Sequence, residues 1–145
     1  MSTRCNIGFY KATPKQKDLL TPEALLYKHS DGYQENMLPL LTDFLKRFNV
    51  VRGLEDIEYA SAHTLVHIVN SQNGEMKKWT EEQGREYRED FCGFGICKPE
   101  FLHWDIEYFY AISPEHLQVY AVNMPYDAKK MLSKHFTLLD TIKLK

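Results

Sequence analysis

Residues 24–33 read Ala24-Leu25-Leu26-Tyr27-Lys28-His29-Ser30-Asp31-Gly32-Tyr33, and their reading sets the fold class. The apolar run Ala24–Tyr27 has the composition of a strand. From Met37 onward the apolar residues Met37, Leu40, Leu41, Phe44, Leu45 and Phe48 recur at helical spacing, with Asp43, Lys46 and Arg47 between them. A strand that feeds a helix through a short polar turn belongs to a mixed fold. The turn carries an imidazole, a hydroxyl, a carboxylate and a glycine, and strand-to-helix turns are common places for binding sites. Gly32 is expected to take a positive φ, and Ser30 or Asp31 to cap the helix that begins near Gln34.

Working outward, residues 4–10 alternate. Cys5, Ile7 and Phe9 fall on one face and Arg4, Asn6 and Gly8 on the other, as in a half-buried strand. A polar loop from Ala12 to Pro22 leads into the strand at 23–29, so the two strands form a hairpin. Pro39 is tolerated if it falls in the first turn of the first helix. Arg52-Gly53 ends that helix. A second helix spans about Glu55–Ser71, apolar on most sides and therefore deeply packed, and Asn73-Gly74 breaks it. Residues 75–90 read as a third, exposed helix, supported by the Glu81 and Arg85 spacing and weakened by Gly84, with Met76, Trp79 and Tyr87 as a narrow docking stripe.

The remainder reads mostly as strand. Residues 94–98 are short. Residues 103–112 alternate, with Trp104, Ile106, Tyr108, Tyr110 and Ile112 expected toward the core and His103, Asp105, Glu107, Phe109 and Ala111 opposite. A turn at Ser113–His116 leads to a partner strand at 117–123. A short helix at about 126–133 precedes a last strand at 137–144. The fold class that follows is α+β: residues 1–145 as a single domain, a mainly antiparallel sheet of about five or six strands, and two main helices packed on one face.

Composition agrees with one globular domain. The chain has 145 residues, 43% hydrophobic and 26% charged, with a formal net charge of −2. No Lys/Arg stripe is present, so bulk nucleic-acid binding is not expected. No apolar stretch approaches the roughly 20 residues of a membrane helix, and the N-terminus has no apolar leader, so a cytoplasmic protein is expected. The three cysteines, Cys5, Cys92 and Cys97, read as reduced thiols.

Three constellations carry chemistry. The first is His29, Ser30, Asp31 and Gly32, with Arg4 on the neighbouring strand. Helix N-terminal amides, a cation and an imidazole together suit a small anion, whereas capping alone also explains a Ser-Asp-Gly run. No nucleophile elbow surrounds Ser30. The second is His103, Asp105 and Glu107, which alternation puts on one face. They are candidates for a divalent metal, against the ordinary solvated face of a sheet. The third is His63 and His67, spaced i,i+4. Thr64 stands where a metalloprotease would carry glutamate, and two ligands do not close a zinc site, so no metal and no cofactor is expected. Gly93-Phe94-Gly95 is too short for a dinucleotide loop.

The opening Ser2-Thr3-Arg4-Cys5-Asn6-Ile7-Gly8-Phe9-Tyr10, the run Leu26–Tyr33 and Asp105-Ile106-Glu107-Tyr108 resemble a group of small uncharacterised proteins of phages, archaeal viruses and prokaryotic genomes. The likeness spans most of the chain, although Gln34 stands where proline is expected after the Gly-Tyr pair. The resemblance implies a viral or mobile-element origin and a prokaryotic or infected-host cytoplasm, and it implies no reaction. The leading expectation is a binding or accessory module for a host protein or a small anionic, nucleotide-like ligand at Arg4, His29, Ser30, Asp31 and Gly32. The alternatives are a metal-dependent phosphodiesterase or nuclease using Asp105 and Glu107, and a structural homodimer.

Overall fold

The computed structural model describes residues 2–88, 93–99, 105–125, 127 and 131–145. The chain forms β1 (Cys5–Phe9), β2 (Ala24–Lys28), α1 (Gln34–Val51), α2 (Ile57–Glu82), β3 (Phe94–Cys97), β4 (Tyr108–Ile112), β5 (His116–Val122) and β6 (Phe136–Lys143). The strands make one sheet in the order β3-β2-β1-β4-β5-β6. Every pairing is antiparallel except β1 with β4, where Cys5 faces Tyr108 and Phe9 faces Ile112. The fold is α+β, with a mixed, mostly antiparallel sheet and two helices.

The sheet is covered on both faces. On one, Met37, Leu41 and Leu45 of α1 and Ala60 and Ile68 of α2 pack onto Ile7, Phe9, Leu26, Tyr110, Ile112 and Val119. On the other, Leu19, Leu25, Ile106, Phe109, Tyr120 and Phe136 form a second core. Its cover is the loop between β1 and β2, which makes a 3-10 turn at Gln16–Asp18. Gln16 Nε2 donates to the Phe136 carbonyl at 2.9 Å and ties that loop to the C-terminal segment.

This double cover corrects two expectations. β1 is buried at all five positions and is not half-buried. Asn6 is buried because its amide donates to the Leu26 carbonyl at 2.9 Å. Gly8 is buried because a Cβ there would lie 2.7 Å from the Phe109 ring. β4 likewise buries Phe109 and Ala111, the residues expected to face solvent. Ile106 packs with Phe109 rather than with Tyr108, because Asp105 has a left-handed backbone (φ 68) and regular alternation starts only at β4. Trp104 and His103 lie outside the described residues.

The helices also differ from expectation. Pro39 is the sixth residue of α1, in the second turn, so it withholds the N–H that Glu35 would otherwise accept. Gly53 (φ 98) ends α1 as expected, its N–H donating to the Phe48 carbonyl at 3.1 Å. α2 runs unbroken through Asn73-Gly74. Gly74 needs no positive φ, and an unstrained helical glycine weakens a helix without stopping it. The stop is Gly84 (φ 68), where Gly84 N–H bonds Glu81 and Arg85 N–H bonds Thr80, both at 3.0 Å, in a Schellman arrangement. No separate third helix exists over 75–88. α2 is not deeply packed either: Ala60, Thr64 and Ile68 are buried, whereas Tyr59 and Val66 are about half exposed. The expected helix at 126–133 falls largely outside the described residues, and Ser133–His135 form a 3-10 turn. No helix among the described residues is long and apolar enough to cross a membrane.

Candidate functional site

One step beyond the Cys5–Lys28 pair, the antiparallel register of β1 and β2 sets Arg4 opposite His29. Because β4 runs parallel to β1, its approach arrives at the same end of the sheet. Glu107 N–H donates to the Arg4 carbonyl at 2.9 Å, which brings Asp105 alongside. The result is a cluster of four side chains. Arg4 Nη1 pairs with the Asp105 carboxylate. Arg4 Nε donates to His29 Nδ1 at 3.4 Å, and the Tyr27 hydroxyl lies 2.8 Å from the same nitrogen. An arginine can only donate, so Nδ1 accepts and the imidazole proton sits on Nε2. Burial raises the Tyr27 phenol above its usual range, and the Arg4 charge works against that rise.

Arg4 is 31% and Asp105 53% exposed, so this ion pair contributes at most about 1 kcal/mol to stability. Its importance is positional. The left-handed backbone of Asp105, which aspartate tolerates better than most residues, turns its carboxylate back onto Arg4. The guanidinium is thereby held by an imidazole on one side and a carboxylate on the other. The Tyr27 hydroxyl also hydrogen-bonds the guanidinium, and the N–H groups beyond these three contacts can serve a further acceptor.

Ser30, Asp31 and Gly32 do not join this cluster. They carry the chain to the helix-covered face of the sheet. The positive φ belongs to Asp31 (φ 55) and not to Gly32. Gly32 is needed for space: a Cβ would lie 2.9 Å from Cys5 Cβ and 3.0 Å from the Thr3 carbonyl oxygen. Its N–H donates to Thr3 at 2.9 Å, and its carbonyl accepts from the Tyr110 hydroxyl at 2.6 Å. Neither Ser30 nor Asp31 caps α1. Tyr33 occupies the cap position without a side-chain bond, and the Asp31 carbonyl instead accepts from Asn36 Nδ2 at 2.7 Å. Two features that are neighbours in sequence, the cation-bearing end of the hairpin and the start of α1, thus lie on opposite faces of the sheet.

Lys28 points to that second face. It is 2% exposed, donates to the Ser30 carbonyl and lies over the Phe94 ring. Burial pulls its ammonium below the usual lysine range, opposed by Cys5, Asp31 and Glu75. Burial also pushes the neighbouring Cys5 thiol up to about 12, which makes it a poor nucleophile. Cys97 is half-buried and shifted the same way; Cys92 lies outside the described residues.

His63 and His67 serve helix packing. His67 stacks on Phe44 at 4.4 Å and its Nε2 lies 2.9 Å from the Leu40 carbonyl, while His63 leans on Phe48. Asp105 and Glu107 are exposed, Asp105 is engaged by Arg4, and His103 is not among the described residues. Among the described residues no group of three or more His, Cys, Asp or Glu could hold a metal ion.

The sequence reading missed one polar cluster. Thr13 Oγ1 lies 2.7 Å from His116 Nδ1 and 3.1 Å from Ser113 Oγ, and Ser113 Oγ accepts the His116 N–H at 3.1 Å. It staples the loop after β1 to the β4–β5 turn. The Ser-x-x-His turn was visible in the sequence, but nothing local points to Thr13. No family model, curated protein or solved structure matches this chain.

Proposed function

We propose that the protein is a binding or accessory module that takes a small anionic, nucleotide-like ligand at Arg4 and His29. The observation that carries this reading is the Arg4 guanidinium at the end of the sheet, between His29 Nδ1 and the Asp105 carboxylate. A guanidinium held on two sides presents its remaining N–H fork to a phosphate or carboxylate with little ordering cost. The His29 Nε2–H adds a second donor beside it. Asp105 holds one side of the guanidinium and also sets a negative charge beside the ligand's, so that charge opposes anion binding. The likeness of the chain's opening and of its Leu26–Tyr33 run to phage and archaeal-virus proteins favours a prokaryotic or infected-cell setting.

The test is calorimetry of nucleoside monophosphates, nucleoside diphosphates and cyclic nucleotides against the wild type, Arg4→Ala and His29→Ala. One member is expected to bind the wild type, and each substitution to weaken it about tenfold or more, the scale of a lost hydrogen bond to a charged group. Absence of binding to the wild type, or binding untouched by both substitutions, refutes the site.

A further inference from the structure

Between β3 and the first turns of α2 lies a cleft of about 320 Å³. Its floor is sheet: Leu26 and Ile96 are cross-strand partners on the helix-covered face. One wall is α2, through Glu58 and Ala62, and Glu23 and Ala24 border it at the entry to β2. The α2 helix does not extend over the edge strand, and Ile96 is left 77% exposed.

The lining has a one-sided chemistry. Floor and wall are mainly aliphatic, with Ser61 and Cys97 beside them, and among the described lining residues the charged side chains are the carboxylates of Glu23 and Glu58, with no lysine or arginine. Glu58 has no ion-pair partner among the described residues. Glu23 has only Lys11, 3.9 Å away, with both side chains well exposed. We propose that this cleft binds a small organic ammonium ion, an alkyl- or arylalkylamine, with its hydrocarbon body on Leu26 and Ile96 and its ammonium toward Glu58 and Glu23.

Size and charge both select this class. The volume lies at the small end of ligand clefts and admits a body of roughly ten non-hydrogen atoms at about 30 Å³ each. A carboxylate ligand would bring a third negative charge into the cleft. A neutral hydrocarbon would cover part of the hydration shell of two carboxylates and return nothing to them. An ammonium on an apolar stem meets both demands. The site lies apart from Arg4 and takes the opposite charge, so it stands whether or not the anion reading does.

The experiment is an amide-resolved NMR titration of the full chain with hexylammonium, hexan-1-ol and hexanoate. Hexylammonium is expected to shift the Ala62 and Ile96 amides with Kd of about 1 mM. Hexan-1-ol should bind about fivefold more weakly, the scale of a solvent-exposed ion pair, and hexanoate should not bind. Glu58→Gln should weaken the amine about fivefold and leave the alcohol unchanged. Ala62→Phe, at an exposed helix position, should abolish both; if that variant does not fold, the comparison of Glu58→Gln with wild type decides alone. Equal affinity for amine and alcohol overturns the proposal. So do shifts confined to other amides, or binding of a basic peptide such as Lys-Val-Lys-Val-Lys without binding of the amine.

Discussion

A methyl group on Gly32 would come within 3.0 Å or less of Cys5 Cβ and the Thr3 carbonyl oxygen, and Cys5 is fully buried. Cys5 is enclosed by the core, and the Thr3 oxygen is backbone that already accepts the Gly32 N–H. Gly32→Ala is therefore expected to cost about 1–3 kcal/mol, the usual penalty of overpacking, read as a lower urea midpoint at unchanged slope. Asp105 offers the opposite case. Asparagine also tolerates the left-handed region, so Asp105→Asn keeps the backbone while removing the charge that Arg4 holds. Under the proposed function the variant should bind the anionic ligand about fivefold more tightly, with thermal stability changed by less than about 1 kcal/mol. Weaker anion binding by Asp105→Asn would mean that the hold on Arg4 outweighs the repulsion between the Asp105 charge and the ligand.

At the scale of elements, Gly74 within α2 and Gly84 just beyond it separate length from termination. Gly74 sits in ordinary helical backbone with nothing within 4 Å of a Cβ, so Gly74→Ala should stabilise by about 0.5–1 kcal/mol. Gly84 has φ 68, so Gly84→Ala should destabilise by about 1 kcal/mol even though its surroundings are open. Chemical denaturation of both variants checks the pair, and equal signs would contradict the assigned helix end. The same helix shows where local reading fails. Asn-Gly looks like a stop in sequence, but a glycine ends a helix only where φ turns positive. The strand–turn–helix run from Ala24 onward was legible because its apolar spacing changes from that of a strand to that of a helix within a few residues. The burial of β1 was not, since alternation identifies a core face only when the other face is wet. Asn6 and Gly8 read as outward residues, and each is interior for a reason set by a distant partner, Leu26 or Phe109. The Arg4–His29 pairing followed from the hairpin; Asp105 joins it through the parallel β1–β4 pairing, which nothing within either strand announces.

At the scale of the molecule, the two cores predict a cost on each face. Phe109 is fully buried under the β1–β2 loop and edge-on to Phe136 at 5.3 Å. Phe109→Ala is expected to cost about 3–5 kcal/mol, measured by thermal or urea unfolding. A cost below about 1 kcal/mol would mean that the loop is a loose cover and that this face is in effect solvated.

The sheet's centre is its one parallel pair, and that has a consequence for how the chain is made. The β1–β2 hairpin is complete at Lys28, but the strand that flanks β1 on its other side begins at Tyr108, 80 positions later (108 − 28). At about 5–20 residues per second on a ribosome, a nascent hairpin waits about 4–16 s with its inner edge bare. During that wait β1 is a template for any passing strand. The finished chain should also refold slowly for its size, in milliseconds to seconds, because its central contact closes a long loop before any reward arrives. Stopped-flow refolding of the whole chain measures this directly, and a major phase complete within microseconds would show that the central pair is not part of the barrier.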